Sequence, residues 1–358
     1  MQANEDILSL LEEKGAEVAK EAQRAVILQP GALGDCILTL PLARAMKEAL
    51  DLGGVDIVGH TEYIGILPER SCVNSVRSID STQLHRLFAE SNTFDLEDRD
   101  PLVKAFADYS WIVTFMGEPD GHFEQNLIFT ANCSHSAEVI TLSLKPPRAR
   151  RQHIAEYYVQ QFNHQSGLTS SSANTRAEDV LISVTATDRQ HGLDLLGQIG
   201  VDVSKRLLVI HPGSGGRRKC WHLENFIGIA KALRSAEVEV LFLLGPVEME
   251  RFGAADEARL REVAKLAADW SLTDVVGLLG CADAFVGNDS GVTHLAAAMG
   301  LPTFAMFGPT DPALYRPIGP ALTVFRDSQN RFAREPCARL QKSVIENLTR
   351  LMEKPAAP

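Results

Sequence analysis

The stretch AFVGNDSGVTHLAAAMGLPTFAMFG at residues 284–308 places a carboxylate, a hydroxyl and a glycine between an apolar strand and an apolar helix. With the strand ending at Asn288 and a helix starting near Val292, Asp289, Ser290 and Gly291 sit on the helix N-terminus. Backbone N–H groups there have no helical acceptors and the helix dipole is positive, so a diphosphate suits the place. Gly291 lets a ligand approach the main chain. The same turn would also serve as a plain N-cap through Asp289 or Ser290. His294, in the apolar helix, reads as a packed core residue.

The loop HPGSGGRRKCW at residues 211–221 has the same character. Ser214 and Gly215 keep its backbone open, and Arg217, Arg218 and Lys219 bring cations to the same strand ends. Near the N-terminus, PGALGDCILTLP at residues 30–41 puts Asp35 at the start of a helix. A carboxylate there tends toward a lowered pKa and would be an ionised general base at neutral pH. A helix-capping aspartate fits the same position.

Several chemistries are disfavoured. No Gly-Lys-Ser/Thr follows the glycines, so neither loop is a Walker A phosphate loop. Neither reads GxGxxG, which argues against a dinucleotide oxidoreductase. Ser214 and Ser290 lack the GxSxG elbow of a hydrolase. Asp98-Arg99-Asp100 is a DxD string, but it lies in an acidic loop away from any expected strand end. No metal and no cofactor are expected.

The elements that must position these residues repeat. Residues 25–50 (AVILQPGALGDCILTLPLARAMKEAL) and 207–233 (LLVIHPGSGGRRKCWHLENFIGIAKAL) each run from a β-branched apolar strand through Pro-Gly to an amphipathic helix. Strand, glycine turn and helix open a doubly wound α/β domain, whose ligands bind at the carboxyl ends of the strands. Further strands are expected at VDIVGH (55–60), WIVTFM (111–116), VEVLFLLG (238–245), AFVGN (284–288) and PTFAMFG (302–308). Their alternation with helical segments predicts two parallel sheets. The Ser/Thr/Asn-rich stretch at 166–179 reads as the linker.

Composition agrees. The chain has 358 residues, 45% hydrophobic and 23% charged, enough for two domains with ordinary cores. A net charge of −11 is the wrong balance for a general nucleic-acid binder. No apolar run is long enough to span a bilayer, and the acidic first 24 residues read as a packing helix rather than a signal peptide. Six cysteines without a CxxC pair suit a reducing cytoplasm. Basic clusters stand at Arg148, Arg150, Arg151 and at Arg217, Arg218, Lys219.

Taken together, GALGDCILTLP, HPGSGGRRKCW and NDSGVTHLAAAMGLPTFAMFGPTDP resemble the bacterial lipopolysaccharide heptosyltransferases, inverting glycosyltransferases of family 9. The resemblance covers roughly residues 25–352 and implies the GT-B fold, two facing doubly wound Rossmann-like domains. After a helical extension (1–24) that is not part of the family core, it implies an acceptor-binding domain (25–175), a nucleotide-sugar-binding domain (176–336) and a terminal helix (337–358) packing back toward the first domain.

The resemblance also implies roles. Asp35 would activate the acceptor hydroxyl, Lys219 would contact donor phosphate, and Ser214 and Gly215 would line it. Asp289 would stand beside the donor sugar, and Ser290 and Gly291 would form the diphosphate turn. Glu248 would bind the donor ribose, with Glu250 as the alternative register. Trp270 would lie against the nucleotide base, or pack a helix start. The implied reaction moves heptose from ADP-heptose to a lipopolysaccharide-core-type glycolipid or oligosaccharide. A lipid-borne acceptor would bring the protein to the inner membrane face. A sugar-nucleotide epimerase, or a non-catalytic nucleotide-sugar binding protein, would suit the same architecture.

Overall fold

The structure is a computed structural model that describes residues 23–147, 151–168, 179–235, 237–327 and 331–353. The expected N-terminal helix, most of the linker, and Arg148 and Arg150 lie outside the described residues. The chain forms two compact units. The first comprises Met1–Ala32, Thr39–Arg150 and Ile154–Thr175; the second comprises Leu33–Leu38, Arg151–His153 and Arg176–Pro358.

Parallel strands β1 (Arg24–Gln29), β2 (Gly54–Gly59), β3 (Ser75–Ser78), β4 (Trp111–Thr114) and β5 (Glu138–Thr141) make the first sheet, in the order β3-β2-β1-β4-β5. Its helices are α1 (Leu33–Ala49), α2 (Thr61–Ile64), α3 (Pro101–Phe106), α4 (His122–Ala131) and α5 (Ile154–Ser166). The central strands are apolar on both faces because helices cover both, as parallel sheets require. Val26, Leu28, Val58 and Ile112 accordingly pack with Phe106, Phe123 and Leu127 in one buried cluster.

The second sheet has β6 (Arg206–His211), β7 (Val238–Leu244), β8 (Lys265–Ala268), β9 (Ala284–Asn288), β10 (Thr303–Phe307) and β11 (Leu322–Arg326). Its order is β11-β10-β9-β6-β7-β8, also parallel. Here the helices are α6 (Ala186–Gln198), α7 (Leu223–Leu233), α8 (Pro246–Arg251), α9 (Ala254–Val263), α10 (Leu272–Gly280), α11 (Gly291–Ala298), α12 (Pro312–Tyr315) and α13 (Ala338–Met352). In both sheets the winding reverses beside the first strand, between β1 and β4 and between β6 and β9. The expected α/β class with two doubly wound sheets is the one observed.

The terminal helix, α13, packs on α7 within the second unit. Val344, Leu348 and Met352 recur every four residues and are buried with Phe226, Ala230 and Leu233. Each such burial removes enough apolar surface from water to stabilise by roughly 1.5–3 kcal/mol. Gly228 permits the close approach, since a Cβ there would meet the Gln341 amide at 2.1 Å. Among the described residues no helix is long and apolar enough to cross a membrane.

Candidate active site

The two loops emerge side by side in the second unit. β6 and β9 are adjacent, with His211 opposite Gly287, so Pro212 and Asp289 leave the sheet as neighbours. They flank the point of reversal, where open α/β sheets bind ligands. A cavity of about 870 Å³, lined by Lys205, Arg206, Val238, Asp283 and Met352, lies at the amino ends of the strands, opposite this edge.

Asn288, fully buried, fastens the loops together. Its side-chain carbonyl accepts the Trp221 N–H at 2.8 Å, and its amide donates to the carbonyls of Pro212 (2.8 Å) and Gly213 (3.3 Å). One side chain thus closes both ends of the 212–221 loop. The Ser214 hydroxyl donates to the Asp289 carbonyl at 2.7 Å. Arg251, the last residue of α8, donates to the carbonyls of Ser214 and Gly215, both at 2.7 Å.

A single 3₁₀ turn, Arg217–Lys219, aims Lys219 at the other loop, and its Nζ lies 2.8 Å from Asp289 Oδ2. On the other side, His294 Nε2 lies 3.9 Å from Asp289 Oδ1. Burial pushes the Asp289 carboxyl up, but His294, Lys219 and Thr310 beside it, with the charge of Lys219, outweigh it and hold the pKa at about 2. Asp289 is therefore a buried, ionised carboxylate at neutral pH. His294 is buried, as a core residue would be, yet it also touches this carboxylate, which spacing alone did not suggest.

Ser290 caps α11, accepting from the Thr293 N–H, and the helix begins at Gly291 rather than Val292. Leu33–Leu38 belongs to the second unit, so the start of α1 joins this turn. A Cβ on Gly291 would meet Leu33 Cβ at 2.8 Å, and one on Gly34 would lie 3.3 Å from His294 Cδ2. Asp35 follows directly, exposed, as the third residue of α1; it stands inside the first helical turn and is not its N-cap. Tyr315 lies within electrostatic reach: burial and the charge of Asp35 push its phenol pKa up, against Lys219.

Glu248 is buried beside the glycine loop. One carboxylate oxygen accepts the Gly245 N–H at 3.0 Å, and a Cβ on Gly213 would fall 1.9 Å from the other. Gly213 is thus glycine because a carboxyl group occupies its side-chain space. Glu250, the alternative register, is exposed. Trp270 is half-buried after β8, two strands from β6, immediately before Ser271, which caps α10 in a capping box with Asp274. Ser214, Gly215, Lys219, Glu248, Asp289, Ser290 and Gly291 therefore gather around one turn, with Trp270 farther along the same edge.

Asp100 of the DxD string is committed elsewhere. It caps α3 and takes a bidentate bond from Arg86 at 2.8 and 2.7 Å, which brings its pKa down to about 2 against burial. Among the described residues no three His, Cys, Asp or Glu side chains are grouped as metal ligands would be. Sequence reasoning missed Asn288, Arg251, Thr310 and Tyr315. Asn288 was legible as a polar residue ending an apolar strand; the other three carry no local signal.

Comparison with known proteins bears on the family and the fold. The family model for glycosyltransferase family 9 (heptosyltransferase) matches residues 132–344. The chain is 22% identical over 302 residues to Lipopolysaccharide heptosyltransferase 3 of Escherichia coli, covering 79% of this chain and 83% of the relative. Its fold is similar to E. coli ADP-heptose LPS heptosyltransferase II, with a TM-score of 0.68 and 15% identity over 92% of this chain and 98% of the other. It is also similar to E. coli heptosyltransferase WaaC with ADP, at a TM-score of 0.62 and 18% identity over 92% of this chain and 100% of the other. The fold is the GT-B architecture of these proteins.

Proposed function

The chain belongs to glycosyltransferase family 9, a heptosyltransferase family, and from that premise we propose that it transfers heptose from ADP-heptose, with inversion, to a lipopolysaccharide-core-type acceptor. The observation that carries the donor assignment is the Lys219–Asp289 pair at the β6/β9 switch point, beside the capped start of α11. The solved relatives described as an ADP-heptose heptosyltransferase and as a heptosyltransferase with ADP support the choice of donor.

In this reading Asp35 takes the proton of an acceptor hydroxyl as its oxygen attacks the anomeric carbon from the face opposite the leaving group. The C–O bond to the diphosphate breaks in the same displacement, through a transition state of oxocarbenium character. Asp289, ionised at neutral pH, stabilises positive charge on the sugar. Negative charge growing on the diphosphate is met by Lys219 and the N–H groups at Ser290–Gly291. Glu248 holds the ribose and Trp270 the base. With cations supplied by the protein, transfer requires no metal. The acceptor is a glycolipid or oligosaccharide; a lipid-borne one takes the protein to the inner membrane face.

The test is a thermal-shift screen of ADP-, UDP-, GDP- and CMP-sugars, followed by transfer assays with and without acceptor and with EDTA. A donor at 100 times its dissociation constant stabilises by about 2.7 kcal/mol. ADP-heptose should stabilise most, and an acceptor-dependent product of inverted anomeric configuration should form in EDTA. Donor altered without acceptor would point to an epimerase, and donor bound but never altered to a binding protein.

A further inference from the structure

Two successive carbonyls of the glycine loop, those of Ser214 and Gly215, point at one guanidinium, each 2.7 Å from a different terminal nitrogen of Arg251. No peptide bond in the described chain is cis. In a trans peptide the N–H points opposite to the C=O of the same plane. The Gly215 and Gly216 N–H groups must therefore both point away from Arg251, to the other side of the loop. Successive N–H groups on one side of a turn form an anion-binding concavity. Neither N–H donates to another described residue, whereas the Gly216 carbonyl accepts the Lys219 N–H. The side-chain space of both glycines is open as well: a Cβ on Gly215 would meet nothing within 4 Å, and one on Gly216 would meet only the Lys219 stem at 3.7 Å or more.

We infer that Arg251 is a positioning residue: it turns Gly215 and Gly216 so that their N–H groups form a two-donor cradle for a phosphate of the donor. The inference rests on the donor assignment above. Arginine suits the task because its planar fork spans two acceptors at once, which a lysine ammonium on a flexible stem does not do with fixed geometry. Its charge also offsets the negative ends of the two carbonyl dipoles, which would otherwise be free to rotate toward the phosphate. The loop has anchors that do not depend on Arg251: Asn288 holds both its ends, and the Ser214 hydroxyl holds Asp289. Removing Arg251 should therefore disorient the two peptides without unfolding the loop.

The test compares ADP with adenosine, by calorimetry, in wild type, Arg251→Ala and Arg251→Lys. ADP affinity should fall about tenfold in Arg251→Ala, in line with the loss of charge-assisted hydrogen bonds. Adenosine affinity should stay within about twofold, because the assigned ribose and base contacts are made by Glu248 and Trp270 and not by the Gly215 and Gly216 N–H groups, and Arg251→Lys should recover only part of the loss. Donor KM should rise in parallel with the ADP result. Unchanged ADP affinity in Arg251→Ala overturns the inference, and so does an equal loss of ADP and adenosine, which means a collapsed loop. If Arg251→Ala does not fold, Arg251→Lys decides by the same ratio. A wild type that binds no ADP overturns the donor assignment instead, and the ratio is then read with the nucleoside diphosphate and nucleoside that it does bind.

Discussion

Lys219 Nζ stands 2.8 Å from Asp289 Oδ2, an ion pair between an ammonium that is 42% exposed and a carboxylate that is 7% exposed. The asymmetry matters. The buried carboxylate is held in place, while the half-exposed ammonium keeps a face for a second anion. Lys219→Ala should raise donor KM about 10- to 150-fold, the worth of a charge-assisted contact. It should also let the Asp289 pKa rise from about 2, since its main cationic partner is gone. Steady-state kinetics with Lys219→Ala and Lys219→Arg check this. Wild-type donor affinity in the alanine variant would make the lysine only a partner for Asp289.

Asp35 in the first turn of α1 is exposed, with its helix start packed at Gly291 and His294. Asp35→Asn keeps the size and much of the local hydrogen bonding but removes the proton-accepting carboxylate. Transfer should slow about 10²- to 10⁴-fold, the usual cost of losing a general base. Donor affinity and melting temperature should match wild type. A near-normal kcat would move the base elsewhere.

Asn288 makes three hydrogen bonds across the two loops. Asn288→Ala leaves the buried Trp221 N–H unpaired, at a cost of about 1–3 kcal/mol. Asn288→Asp should be at least as harmful, because a carboxylate cannot donate to the Pro212 carbonyl and would face it with like charge. Denaturant melts of both variants test the pair of outcomes. An aspartate variant as stable as wild type would mean that the loop ends are held by other contacts.

His153 gives stability a pH dependence. Burial drives its imidazole pKa down from 6.5 to about 4, against the raising effect of its bond to the Arg316 carbonyl at 2.8 Å. The unfolded chain therefore binds the proton more readily. The associated stability, roughly 3 kcal/mol, is present above pH 6.5 and is lost as pH falls through about 4. His153→Gln keeps a side-chain donor and does not titrate, so its melting temperature should fall less steeply across that window. Parallel curves for the two proteins would remove His153 as the cause.

The sequence by itself determined the class of fold and the sheet edge at which the candidate residues stand. Strands such as β1, β6, β7 and β9 are apolar on both faces, so their runs are continuous and visible, and glycine turns follow them directly. The strands β3 (SVRS), β5 (EVIT) and β11 (LTVFR) lack that signal because polar residues interrupt them, and β8 (KLAA) because its apolar run is short and partly alanine. Asp289, Ser290, Gly291, Ser214 and Lys219 could be singled out as candidates because each lies in a short glycine-containing turn directly after an apolar strand. The shared environment of those residues was decided by tertiary structure. Asn288 fastens the loop at 212–221, and Arg251 reaches Ser214 from a helix on a different strand connection. His294 acquires its carboxylate contact only when α11 packs at Asp289. The surface that covers the terminal helix was likewise decided by packing: its Val344, Leu348 and Met352 are buried against α7. Periodicity specifies that a face must be buried, whereas its partner is chosen by shape complementarity between segments that are distant in the chain.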